Sequence, residues 1–116
     1  MSNLDVFLAD CPARTTLSLI GDTWSAVVVM GLGERPMRYT ALQARIGGIS
    51  KKMLTQTLRR LQDSGLVARS EPGPAGAQYR LTPLGETLLD PVRVLAGWAE
   101  AHTDEVLAAR SAAPAG

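Results

Sequence analysis

GGISKKMLTQTLRRLQDSGLV, residues 47–67, decides how the chain is read. Two glycines mark a tight turn, Ser50 stands where a helix cap belongs, and Gly65 ends the helix. At ~100° per residue, Leu54, Leu58 and Leu61 fall on one side, while Lys52, Thr55, Gln56, Arg59 and Asp63 gather on the other. The charges oppose the helix dipole, because Lys51 and Lys52 crowd the start and Asp63 falls in the last turn. The dipole favours the reverse by about 0.3–1 kcal/mol per exposed group. A face that meets only water more often carries Glu/Lys pairs four residues apart. This one offers bases without acidic partners, a hydroxyl and an amide, the groups that meet phosphate, guanine, adenine and the thymine methyl in a duplex. A phosphate near the helix start would be attracted by both ammoniums and by the free N–H groups there. The competing reading is a basic helix that faces solvent alone, as charge runs on helices commonly do.

Working outward, residues 66–70 and 78–81 are short strand candidates, and the Pro/Gly-rich residues 71–77 between them form the loop of a hairpin. Upstream, residues 37–39 suggest a short strand, and Thr40 caps a brief helix through Ala41, Leu42, Ala44 and Ile46. Asp10-Cys11-Pro12 opens a first helix with Leu17 and Ile20 on its buried side, ended by Gly21. Asp22 or Thr23 caps a second, whose Trp24, Val27, Val28 and residues 30–32 are apolar nearly all round and therefore central to the core. From Pro83 onward, Leu84, Leu88, Val92, Leu95, Ala99 and Val106 mark a long amphipathic helix, kinked or restarted near Pro91 with Asp90 as its new cap. Two helices joined by a glycine turn and followed by a hairpin make a winged helix-turn-helix. The fold expected is thus mainly α with a small β-hairpin, its second helix-turn-helix member entering the major groove.

The charge distribution agrees. Residues 35–80 hold nine basic side chains against Asp63 and Glu71, a net of +7, between flanks of −3 each, which returns the chain total of +1. Such asymmetry points to nucleic acid on one side of the molecule. With 116 residues, the expectation is one domain, 1–116, with a DNA-binding core at about 35–81 and pairing helices at about 11–33 and 83–110. One cysteine and one histidine leave no cysteine cluster for a metal, no internal disulfide and no evident base for a hydrolase triad. No enzyme activity, metal or cofactor is expected. The N-terminus lacks a basic stretch before its short apolar segment and no apolar run approaches ~18 residues, so a cytoplasmic protein without membrane contact is expected.

Three segments, CPARTTLSLIGDTW, RYTALQARIGGISKKMLTQTLRRLQDSGLVAR and YRLTPLGETLL, together with Trp98, resemble the HxlR-type transcriptional regulators, bacterial relatives of the MarR proteins. The resemblance spans about residues 11–102. It implies a homodimer that pairs through its first and last helices and represses or activates nearby genes by binding a pseudo-palindromic operator. The DNA-binding set is then Arg38, Thr40, Ser50, Lys51, Lys52, Thr55, Gln56, Arg59, Arg69 and Arg80. Lys51 stands where the family often has proline, and the wing loop is richer in glycine and poorer in charge than is usual there. Several members sense electrophiles or oxidants through a cysteine just before a proline at the start of the first helix, the position Cys11 occupies. A helix N-terminus lowers a thiol pKa, with Arg14 assisting and Asp10 opposing; the alternative for Cys11 is a small buried residue with no switching role. Trp24 and Trp98 are candidates for a ligand pocket or for core and dimer packing. The partners expected are double-stranded DNA, a second copy of the chain and a small-molecule effector. The alternatives are a winged-helix protein-interaction module, or a ligand-binding protein without DNA affinity.

Overall fold

The computed structural model describes residues 4–114. Six helices and three strands follow in the order α1 (Pro12–Gly21), α2 (Thr23–Glu34), β1 (Met37–Arg38), α3 (Tyr39–Arg45), α4 (Lys51–Asp63), β2 (Val67–Arg69), β3 (Gln78–Leu81), α5 (Pro83–Glu86) and α6 (Leu89–Ala112). The strands form one antiparallel sheet in the order β1-β3-β2, with Met37 opposite Tyr79, and Val67 and Arg69 opposite Leu81 and Tyr79. The expected hairpin is present, and β1 adds a third strand to its other edge.

The core is assembled on α2. Val28, Val29 and Leu32 are buried there against Leu42 of α3, Leu54, Leu58 and Leu61 of α4, and Met37, Val67 and Leu81 of the sheet. Each such leucine contributes about 1.5–3 kcal/mol by leaving water. Gly31 on α2 lets the Leu42 side chain approach, since a Cβ there would stand 3.2 Å from it, and Gly33 does the same for Leu89.

Both ends of α4 are made by the residues that sequence reading singled out. Ser50 Oγ accepts from the Met53 N–H at 3.1 Å, the N-cap bond. At the other end Gly65, at φ +75°, donates to the Gln62 carbonyl while Leu66 N–H reaches back to Leu61 O at 2.9 Å. This pair of bonds closes a Schellman motif and buries Leu66 over Leu61. Gly48 takes the left-handed conformation, φ +82°, in the turn between α3 and α4.

Several expectations are corrected. Thr40 does not cap α3: Arg38 is the N-cap, without a side-chain cap bond, and Thr40 lies exposed in the first turn. Asp22 is the N-cap residue of α2, yet its carboxylate turns to Ser25 Oγ and to Arg60 instead of a helix N–H. The long C-terminal helix breaks at Thr87 and Leu88, one turn before Pro91, and Asp90 sits in the first turn of α6 while Leu88 is its N-cap. Pro91 still causes the break. Its ring excludes the carbonyl four residues back, that of Thr87, and within α6 it occupies a first-turn position whose N–H would have no helical acceptor.

Leu17 was expected to be buried and is 57% exposed; Leu84, Leu95 and Val106 also lie open. The apolar stripes of α1 and α6 are thus largely uncovered in the single chain. Among the described residues no single helix is long and apolar enough to cross a membrane, and α1 and α2 meet at a 74° bend.

The wing is seated on α5 by a close approach. A Cβ on Gly85 would overlap the Leu66 carbonyl oxygen, which accepts the Thr82 N–H at 3.1 Å. Gly85→Ala is therefore expected to lower the unfolding free energy by about 1–3 kcal/mol, the cost of overpacking a rigid contact. The reading is a reduced urea midpoint at unchanged slope; an unaltered midpoint would contradict the approach.

Candidate nucleic-acid interface

The packing of α4 determines what it displays. Leu54, Thr57, Leu58 and Leu61 are buried, so Lys51, Lys52, Thr55, Gln56, Arg59 and Asp63 project outward and are exposed. Ser50 engages the Met53 N–H, leaving those of Lys51 and Lys52 at the open end of the helix without helical acceptors.

Two arginines of the basic segment are tied inward by acids from the N-terminal flank. Arg45, in the last turn of α3, meets Glu34 at the end of α2 in a two-pronged pair, both bonds 2.8 Å. The hydrogen bond from Arg45 holds the Glu34 carboxyl below the ordinary range, and nearby Arg35 and Arg93 act in the same direction. Arg60 of α4 reaches Asp22 at the start of α2, also at 2.8 Å. These are the two ion pairs among the described residues. The remaining seven bases of the segment, Lys51, Lys52 and Arg59 among them, keep their charge uncompensated by a bonded carboxylate. Both helices of the helix-turn-helix are pinned to α2.

The wing arranges its arginines differently from expectation. Residues opposite one another in adjacent antiparallel strands share a face. The register places Arg69 beside Tyr79, on the face that carries buried Met37, Val67 and Leu81. Arg80 pairs with Ala68 and projects on the other face, with Gln78 and Arg38. Arg69 and Arg80 therefore flank the wing from opposite sides. Arg38 is partly committed, because its Nη1 donates to the Gly76 carbonyl at 2.6 Å and holds the tip of the wing loop. That tip is itself a narrow bridge between Gly73 and Gly76, with Gly76 at φ +87°.

Between α4 and the wing lies a notch of about 230 Å³ lined by Tyr39, Thr55, Arg59, Gln62, Arg69 and Tyr79. Sequence reading did not single out Tyr39, Gln62 or Tyr79. Tyr39 is half-buried against the core, and its hydroxyl donates to the Lys51 carbonyl at 2.9 Å while lying 3.0 Å from Thr55 Oγ1. An amphipathic tyrosine at a strand-to-helix junction, directly before the helix-turn-helix, was the available signal.

Cys11 sits at the N-cap position of α1 and is buried, 7% exposed. Arg14, the expected helper of its thiol, points elsewhere: its guanidinium donates to the carbonyls of Val6 and Phe7, both at 2.9 Å, and wraps the N-terminal segment. Trp24 and Trp98 do not share a pocket. Trp24 lines a groove of about 830 Å³ between α2 and α6, together with Val27, Met30, Ala96, Glu34 and Arg45. Trp98 is 58% exposed outside that groove and stacks on His102, ring centres 4.8 Å apart. Among the described residues no three His, Cys, Asp or Glu side chains converge as a metal site.

The HxlR-like helix-turn-helix family matches residues 19–106. The chain is 38% identical over 108 residues to the HTH-type transcriptional regulator YtfH of Escherichia coli strain K12, covering 91% of this chain and 86% of that one. The solved ytfH structure from Salmonella typhimurium superposes with a TM-score of 0.84 at 34% identity, over 94% of this chain and 99% of the other. The reduced form of the transcriptional regulator YodB from Bacillus subtilis, a protein also solved after diamide treatment, does so at 0.67 and 29%, over 78% and 91%. With a winged helix-turn-helix fold, a polar outer face on α4 and a family match over most of its length, the chain belongs to the HxlR-like helix-turn-helix transcriptional regulators.

Proposed function

We propose that the protein is a homodimeric regulator that binds a pseudo-palindromic operator with α4 in the major groove. The observation that carries this reading is the outer face of α4: Lys52, Thr55, Gln56 and Arg59 are exposed and free of carboxylate partners, while the neighbouring Arg45 and Arg60 are both ion-paired. A helix in water gains nothing from bases at its N-terminus. One beside a phosphate gains from its ammoniums and from its open N–H groups together.

Lys51 and Lys52 then fix phosphates, Gln56 and Arg59 reach base edges, and Ser50 and Thr40 border the helix start. Arg69 grips the backbone from the inner face of the wing, and Arg80 and Arg38 from its outer face. Residues 35–81 form the reading head and the flanking helices its dimer support. The exposed apolar residues of α1 and α6, among them Leu17, Val94, Leu95, Trp98 and Leu107, together with Phe7 before α1, form the surface that a second copy covers. Pairing would place two α4 helices about 34 Å apart, one turn of duplex.

The signal enters at the far side of α2. Modification of Cys11 at the start of α1 by an electrophile or oxidant, or a small apolar effector in the groove lined by Trp24, would move α2. Through the Glu34–Arg45 and Asp22–Arg60 pairs it would carry the helix-turn-helix with it. The diamide-treated structure of YodB supports a thiol-directed signal in this fold.

Binding to a duplex from the region upstream of the gene tests the reading by anisotropy over a range of salt. Lys52→Ala is expected to weaken binding to all duplexes alike and to reduce the salt slope by about one per subunit. Gln56→Ala should cost about 1–3 kcal/mol on the preferred sequence only. Variants indistinguishable from wild type would sink the proposal. Alkylation of Cys11 is expected to lower operator affinity in the wild type and to have no effect on Cys11→Ser; unchanged affinity after complete modification would remove Cys11 from the mechanism.

A further inference from the structure

We propose that Thr55 reads a thymine methyl in the major groove, and that Tyr39 is the residue that commits it to that task. This rests on α4 reading DNA as proposed above and adds which chemical group one of its side chains selects. A tyrosine hydroxyl has one proton. That of Tyr39 is given to the Lys51 carbonyl at 2.9 Å, so the 3.0 Å contact between Tyr39 Oη and Thr55 Oγ1 has Thr55 as its donor. The only hydroxyl proton of Thr55 is thereby directed into the protein.

The consequence is chemical selectivity. Phosphate oxygens accept hydrogen bonds and donate none, so a threonine whose proton is already used has nothing to offer them. What Thr55 retains is its γ-methyl group and the lone pairs of Oγ1. With Oγ1 fixed toward Tyr39, the staggered arrangement about Cβ sends the methyl in a different direction, on a residue that is itself exposed on the outer face of α4. In the major groove a T·A pair presents the complement of both: the C5-methyl of thymine and, on the adjacent edge, the adenine N6 amino donor. The anchor is firm because Tyr39 packs on the buried core and bridges the first turn of α4, so the side chain is oriented before any DNA arrives.

The experiment begins by selecting duplexes from a randomised pool with the wild-type protein. Each thymine of the resulting consensus is then replaced by deoxyuridine, which lacks only the C5-methyl. At one position, deoxyuridine should weaken wild-type binding about fourfold for each half-site replaced, the worth of one buried methyl. Thr55→Val keeps a methyl and should keep that sensitivity, whereas Thr55→Ser has none and should lose it. Tyr39→Phe, checked to be folded by its thermal melt, frees the Thr55 hydroxyl to rotate and should reduce the sensitivity without removing Thr55. A consensus in which no thymine responds to deoxyuridine, or a response that survives Thr55→Ser, overturns this assignment alone. Failure to enrich any sequence overturns the DNA-binding reading itself, and this assignment with it.

Discussion

The burial of Leu54, Leu58 and Leu61 against α2 is the constraint on which the rest depends. A helix with three leucines on one stripe has one low-energy orientation on a packed core, and turning it would cost several buried side chains at about 1.5–3 kcal/mol each. That single orientation fixes which residues face outward. It also sets the end of α4, because the Schellman bond that closes the helix buries Leu66 and starts β2, from which the wing is built. Core packing and presentation of the polar face are two results of one leucine pattern.

Most of the reading head is local, which is why so much of it was legible. Ser50 at the cap, Gly65 at the stop, the leucine stripe and strand 78–81 each depend on neighbours a few residues away, and each appears in the structure where its residues imply. What could not be read depends on distant partners. Arg60 looks like another exposed base of α4 until Asp22, 38 residues earlier in the chain, is seen to hold it. Arg69 and Arg80 look equivalent until the strand register separates them onto opposite faces, since side chains alternate with period two and only the pairing sets the phase. The break at Thr87 lies one turn before the proline that produces it, because the ring meets a carbonyl four residues back. The stripe of α1 was read correctly as apolar and, at Leu17, wrongly as buried, whereas that of α6 was read as amphipathic: periodicity reports an apolar face, not whether this chain or another covers it.

The charge balance takes on a different meaning with the fold in view. The basic segment carries +7 in sequence, yet the two acids that compensate part of it come from α2 and its cap, and they neutralise arginines on the side turned to the core helices. Positive charge is thereby removed where it would only repel and left where a polyanion would approach. The same two pairs join α2 to α3 and α4. Exposed ion pairs add little stability, so their value here is geometric: each fixes one end of α2 against a helix of the helix-turn-helix.

The central claim is that the outer face of α4 lies in the major groove, twice, one helical turn apart. Cleavage from an iron chelate attached to cysteine in a Gln56→Cys, Cys11→Ser variant tests it most directly, with the cuts mapped on both strands of a bound duplex. The account predicts two symmetric clusters of cleavage centred on major grooves about 34 Å apart. A single cluster, cuts confined to the minor groove, or a bound duplex left intact would contradict it.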